Sequence, residues 1–186
     1  VLSGLINKQL VGSLFQFGVQ AIGISGVDGN LLSGDSDNPE LGLVASHLAV
    51  NPEPITAIVK SGYIPIIAPL ALSRFPQADG NMFLNVNADT AAGFIAAALH
   101  ASRLVFLTDV DGVLGHDGRL IKNLTVKEGE ALINSGVIQG GMIPKIRACI
   151  HASTYGTSSH MVNGMNPAAL LNCINGQITG TSVQLG

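Results

Sequence analysis

The sequence predicts an α/β fold, a three-layer α/β/α sandwich with a mostly parallel open sheet. Strand-like apolar runs alternate with helical patterns along the whole chain. Hydrophobic residues make up 47% of the 186 residues and charged residues only 11%, with a mean hydropathy of +0.43. That balance excludes a disordered tail and predicts enough apolar surface for an oligomer. Polar loops follow the strand runs ending at Ile24, Leu84 and Leu107. In open α/β sheets ligands sit at such carboxyl ends.

The elements follow in order. Val1–Phe17 predicts an amphipathic helix, with Leu2, Ile6, Leu10, Leu14 and Phe17 near the helical period and Gly18 as a stop. Val19–Ile24 predicts a strand that runs into the turn residues 25–30. Residues 33–43 read as a polar loop. At Asn51-Pro52-Glu53 an asparagine cap, a proline and an acidic first turn open a helix that runs to about Lys60 and stops at Gly62. Tyr63–Leu70 predicts one buried strand, weakened by its prolines. The loop at 73–81 is the expected lobe boundary. Beyond it, Leu84–Asp89 leads into an alanine-rich helix reaching about Ser102. Leu104–Leu107 predicts a strand. Thr125 and Glu128 form a capping-box pattern for a helix from Val126 to the stop at Gly136. Ile143–Thr154 predicts a helix and His160–Val162 a strand. Asn166-Pro167 caps a further helix, and Thr181–Leu185 closes as a strand.

Several function classes are disfavoured. The nine Lys and Arg are scattered, net charge is -3 and there is no Trp, so neither a basic stripe nor a stacking platform for nucleic acid exists. No apolar run approaches the ~18 residues of a membrane span. No secretory leader is visible in the sequence given. Cys149 and Cys173 make no disulfide framework and fit a reducing cytoplasm. The five histidines show no metal-ligand spacing, so no metal site is expected.

Three loops carry candidate chemistry. Asn85-Val86-Asn87-Ala88-Asp89-Thr90 joins a strand to a helix. Free N–H groups there favour anions, and two Asn side chains offer donors and acceptors to a small polar ligand. Helix capping alone needs only one such residue. Thr108-Asp109-Val110-Asp111-Gly112-Val113-Leu114 follows a strand. Its carboxylates suit a ribose hydroxyl or a water-bridged metal, and equally an ordinary turn. Gly140-Gly141-Met142-Ile143-Pro144-Lys145 places a lysine in a first helical turn, against the dipole. A phosphoryl group would offset that cost; a solvated lysine is the plainer reading. Together the loops suggest phosphoryl transfer, without the motifs of P-loop NTPases or protein kinases.

These segments, with residues 21–29 and 62–69, resemble the amino acid kinase family, and within it the acetylglutamate kinases. They occur in that family's order over nearly the whole chain, and Asn85-Val86-Asn87-Ala88-Asp89 is the most specific. The resemblance implies ATP-dependent phosphorylation of the γ-carboxylate of N-acetyl-L-glutamate, giving an acyl phosphate in arginine biosynthesis. It implies that Asn85 and Asn87 bind this small-molecule substrate. Asp89 would organise the catalytic lysines, and Lys145 would stabilise the transferring phosphoryl group. Thr108, Asp109, Val110, Asp111, Gly112, Val113 and Leu114, with Val137, Ile138 and Gln139, would hold ATP, accompanied by Mg²⁺. Residues 1–84 would be the remainder of a substrate-binding and dimerisation lobe, and 85–186 a nucleotide-binding lobe. A cytoplasmic homo-oligomer is expected. The family's opening strand, glycine-rich phosphate loop, second catalytic lysine and substrate-binding arginine have no match, and Lys8 lies in a helix. The chain is therefore expected to be a fragment of doubtful activity by itself, or a degenerate relative. Val44-Ala45-Ser46 departs from the family's Val-Gly-acidic pattern, which bears on a local hairpin. The alternatives are a non-catalytic arginine-sensing domain of an acetylglutamate synthase, disfavoured by Asp89 and Lys145, or a kinase for a related amino acid.

Overall fold

The computed structural model describes residues 1–36, 40–75, 80–177 and 179–185. The chain divides into two compact units, Val1–Ala91 and Ala92–Gly186. Residues 37–39 of the expected polar loop and 76–79 of the expected boundary loop lie outside the described residues.

In the first unit a π-helical turn, Leu2–Ile6, leads into α1 (Asn7–Phe15). Strand β1 (Ala21–Ser25) follows, then β2 (Leu32–Asp35), β3 (Ser46–Val50), α2 (Glu53–Lys60), β4 (Ile64–Ala68), β5 (Leu70–Ser73) and β6 (Phe83–Asn85). Strands β1 and β4 pair in parallel from Ala21↔Ile64 to Ser25↔Ala68. A second sheet runs β3-β2-β5-β6, parallel only between β2 and β5. Two expectations are corrected here. The polar stretch beginning at Ser33 contains β2, whose Leu32 is fully buried. The single strand expected over Tyr63–Leu70 is two strands in different sheets, divided at Pro69. Proline has no N–H for either ladder, and the Pro69 carbonyl instead accepts from the Val86 amide at 3.2 Å.

Helix α1 is attached by its polar side. Asn7 is buried, and its Nδ2 donates to the carbonyls of Ile24 (3.1 Å) and Ile66 (2.9 Å), bridging β1 and β4. Lys8 Nζ donates to the Gly23 carbonyl at 2.5 Å. Most of the apolar positions that defined the helix face outward: Leu2, Ile6 and Leu10 are about half exposed and Phe17 82%, with Phe15 beside them at 78%, while Leu14 is partly buried.

Helix α3 (Ala88–Ala98) is shorter than the run to Ser102 predicts. It ends where His100 turns left-handed, at φ 47°. The second unit continues with β7 (Arg103–Thr108), β8 (Asn123–Thr125), α4 (Val126–Asn134), α5 (Met142–Thr154), β9 (Ser158–Asn163), α6 (Pro167–Ile174) and β10 (Thr181–Gln184). The sheet order is β7-β9-β10-β8, parallel at β7/β9 and β10/β8 and antiparallel at β9/β10.

Alternation along the strands makes this unit three layers deep. Phe106 and Met161 pack with Ile146 and Cys149 of α5, whereas their neighbours Val105 and Val162 pack with Ala169 and Cys173 of α6. Successive strand residues point to opposite faces, so α5 and α6 cover the two sides. Cys149 and Cys173 are both buried, and neither is in a disulfide. The caps expected at Thr125 and Asn166 form, but α2 takes Pro52 rather than Asn51 as its N-cap, since the helix begins one residue later, at Glu53. Thr125 Oγ1 accepts from the Glu128 amide while Glu128 accepts from the Thr125 amide, and Asn166 accepts from the Ala168 amide. The α/β class and the parallel-rich pairing are as predicted, with the strands distributed over three sheets.

Candidate functional site

In the first unit, Asn85 ends β6 opposite Leu70. Its amide donates to the Leu43 carbonyl at 2.8 Å, and its carbonyl accepts from the Ala45 amide at 2.8 Å. With the backbone fixed on both sides, the side chain lines a cavity of about 240 Å³ with Ala68, Pro69, Leu70 and residues 1–3. Two residues on, Asn87 caps α3: its Oδ1 accepts from the Thr90 amide at 3.0 Å and the Thr90 hydroxyl at 3.3 Å. Asn87 therefore caps the helix through its oxygen alone, and its Nδ2 takes no part in those two bonds. Asp89 lies in the first turn of α3, at the positive end of the dipole.

In the same unit, the turn after β1 is tied by Asp28. Its carboxylate accepts from the Ser25 amide at 2.7 Å and the Ser25 hydroxyl at 2.8 Å. The amide bond, then the hydroxyl, hold Asp28 below the usual carboxylate range, and the positive charge of Lys8 adds to this.

In the second unit, a cavity of about 460 Å³ opens beside the carboxyl end of β7 and the start of α5. Its lining is Val110, Gly112, Val113 and Leu114 from one loop, Val137, Ile138 and Gln139 from another, and Met142. Gln139 is the one polar side chain of that lining, and its Nε2 donates back to the Gly136 carbonyl at 2.5 Å. The rest is an apolar slot, suited to a flat, largely apolar ring.

The loop after β7 is held from beneath. The Thr108 hydroxyl donates to the Val110 carbonyl at 2.6 Å and, more weakly, lies 3.3 Å from the Val162 carbonyl. Thr108 therefore shapes the loop from a buried position. Thr181, fully buried in β10, accepts from the Val113 amide at 2.8 Å and donates to the Ile121 carbonyl at 2.7 Å. Gly112, at φ 150°, fits against that hydroxyl, where a Cβ would stand 2.5 Å away. Asp109 and Asp111 are exposed on the same loop. Asn163 Nδ2 donates to Asp111 Oδ1 at 2.8 Å.

Gly140 takes φ 56° just before α5, and Pro144 sits in the first turn, where a missing N–H loses no intrahelical bond. Lys145 follows, its Nζ 5.9 Å from the centre of the Phe106 ring, within cation–π reach.

The structure thus brings seven of the residues named for ATP around one cavity, with Thr108, Asp109 and Asp111 on the same loop outside its lining. Sequence reasoning missed Met142, Phe106, Asn163 and Thr181. Asn163 was within reach of the strand-end rule, since it closes β9 as Thr108 closes β7.

The profile of the amino acid kinase family matches residues 1–163. An acetylglutamate kinase of Parvibaculum lavamentivorans is 44% identical across 99% of this chain and 64% of its own length. One of Dehalococcoides mccartyi is 39% identical across 98% of this chain and 68% of its own length. The chain therefore spans about two thirds of these curated relatives. Among solved structures, smu.665 of Streptococcus mutans superposes with a TM-score of 0.80 at 27% identity, covering 100% of this chain and 69% of that one.

Proposed function

This chain belongs to the amino acid kinase family, and from that premise we propose that it forms the nucleotide site and part of the acceptor site of a kinase for N-acetyl-L-glutamate. One observation carries the reading: seven of the ten residues that the resemblance assigns to ATP, from two separated loops, line a single largely apolar cavity. In this proposal the purine occupies the slot between Val113 and Ile138, and the phosphates run toward α5. Lys145 stabilises the charge that grows on the transferring phosphoryl group.

The acceptor residues are Asn85, whose amide can donate to the substrate's carboxylate and accept from its acetylated N–H, and Asn87, which supports that site through its Nδ2 donor because its Oδ1 is already taken by Thr90. Asp89 sets the charge balance of the reacting centre. A γ-carboxylate oxygen attacks the γ-phosphorus, the new O–P bond forms as the bridging bond to the β-phosphate breaks, and ADP leaves with the negative charge. The product is an acyl phosphate, the activated carboxylate that arginine biosynthesis reduces. Among the described residues no group of three His, Cys, Asp or Glu side chains is placed to hold a metal by protein ligands alone. Mg²⁺ would come with the nucleotide, and Asp109, exposed on the loop after β7, would supply it one carboxylate. When bound, Mg²⁺ neutralises phosphate charge. No helix among the described residues is long and apolar enough to cross a membrane. A cytoplasmic homo-oligomer fits the outward apolar row of α1.

The test is titration of the chain and its Asn85→Ala variant with N-acetyl-L-glutamate, L-glutamate, L-arginine and ATP–Mg²⁺. The parent is expected to bind acetylglutamate in preference to glutamate. Loss of the amide should lower acetylglutamate affinity about tenfold, from ~1–3 kcal/mol for an unpaired polar partner, while ATP affinity stays level. Equal losses for both ligands would remove Asn85 from the acceptor site. Binding of arginine without acetylglutamate would favour a sensor domain.

A further inference from the structure

Asn163 has no role in the reading so far, yet its side chain is fixed at both ends. Its Oδ1 accepts from the Met165 amide at 2.9 Å, and its Nδ2 donates to Asp111 Oδ1 at 2.8 Å. The turn that carries it is tied to β7, because the Gly164 amide donates to the Thr108 carbonyl at 2.8 Å. Asn163 also lies opposite Thr108 in the parallel β7/β9 pair, so both strand ends present their polar groups at one edge. Asp111 stands between Val110 and Gly112, two residues of the cavity lining. The backbone on its far side is anchored through Val113 to Thr181. One oxygen of the carboxylate is thus directed to Asn163, and the loop carrying it is held from both sides.

We propose that Asn163 is a positioning residue of the nucleotide site, turning Asp111 so that its Oδ2 accepts a hydrogen bond from a ribose hydroxyl of the bound nucleotide. This rests on the nucleotide reading above. The chemistry selects the ribose. With Oδ1 of Asp111 taken by the Asn163 amide, Oδ2 remains as an acceptor for a further donor. Phosphate oxygens are anionic acceptors and are repelled by it, whereas a hydroxyl is a neutral donor. The base lies against the apolar lining, which has no charge to meet a phosphate, and the cation of this unit's site is on α5. The sugar is the part of a nucleotide that falls between them.

The experiment titrates the chain with ATP–Mg²⁺ and with 2′,3′-dideoxy-ATP–Mg²⁺, for the parent, Asn163→Ala and Asp111→Ala. The parent should bind ATP about tenfold more tightly than the dideoxy analogue, the worth of one charge-assisted hydrogen bond. Asn163→Ala should remove most of that preference by weakening ATP alone, and Asp111→Ala should match it. The double variant should lose no more than either single one. If Asn163→Ala does not fold, Asp111→Ala carries the same prediction for the ribose. Equal weakening of both nucleotides would overturn the proposal, since it is what a merely structural Asn163 would give. A parent that binds both nucleotides equally overturns it while leaving the nucleotide site in place. A parent that binds neither removes the nucleotide reading, and this inference with it.

Discussion

Thr181→Val keeps the shape of a fully buried side chain and deletes one hydroxyl. That hydroxyl accepts from the Val113 amide at 2.8 Å and donates to the Ile121 carbonyl at 2.7 Å. Valine can replace neither bond. Val113 is 2% exposed, so water cannot reach its amide without opening the loop. Each buried polar group left unmet costs about 1–3 kcal/mol, and Ile121 is only partly buried, so the expected loss is about 2–4 kcal/mol. Thr181→Ser keeps both bonds and removes one methyl group, a loss of about 1 kcal/mol. Urea unfolding compares the three proteins, and amide exchange at Val113 reports the bond itself. Thr181→Val should expose that amide to exchange and weaken ATP binding, because Val113 and Leu114 line the cavity. Thr181→Ser should leave exchange near the parent. If the two variants share one unfolding midpoint and one exchange rate, the hydroxyl does not hold the loop and the reasoning fails.

Three further outcomes are expected. Thr125→Ala removes the hydroxyl that caps α4 and should cost about 1 kcal/mol in urea unfolding, while Thr125→Ser should restore most of it. The Asp28 carboxylate is held below its usual range by Ser25, so its stabilisation is present above the unfolded carboxylate pKa and is lost as pH falls through the lower folded value. Asp28→Asn should flatten that part of the acid limb in a Tm-against-pH series, and an unchanged limb would refute the assignment. If Lys145 meets the transferring phosphoryl group as proposed, Lys145→Ala in a protein of the relatives' full length should lower kcat by about 10²–10³ with KM for ATP within a small factor, because that charge grows mainly in the transition state. A steady-state series showing a large KM rise at constant kcat would make Lys145 a ground-state phosphate ligand.

Local chemistry made much of the fold legible. The Thr125–Glu128 capping box and Asn166-Pro167 each satisfy their helix within three residues, as the bonds to Glu128 and Ala168 record, whereas Asn51 stands one position before the N-cap Pro52 and accepts from the Glu53 amide. Strand β2 was hidden because Leu32-Ser33-Gly34-Asp35 has too few apolar residues to show a period, and its pairing with β3 and β5 supplies the burial. The division at Pro69 was half visible: proline signalled a weakened strand, but the change of sheet is decided by Val86, 17 positions away by sequence number. The end of α3 was misplaced because a run of alanines carries no stop. In the candidate site, the loops were readable from the strand-end rule. Their supports were not, since Asn163 is 52 residues from Asp111 and Thr181 is 68 from Val113. Such contacts exist only once the sheet has formed.

The attachment of α1 bears on the order of events in assembly. A helix seated through apolar side chains alone can rotate or slide by a turn at small penalty, since dispersion is not directional. Here Asn7 reaches two carbonyls on different strands and Lys8 a third, so both azimuth and axial position are set within the single chain. The outward row of Leu2, Ile6, Leu10, Phe15 and Phe17 then has a defined shape before any neighbour meets it. Were a neighbour to dock on this face, it would meet a ready-made surface rather than fold a segment on contact. The rate of docking should follow collision and orientation, with little of the ordering penalty that a disordered partner carries.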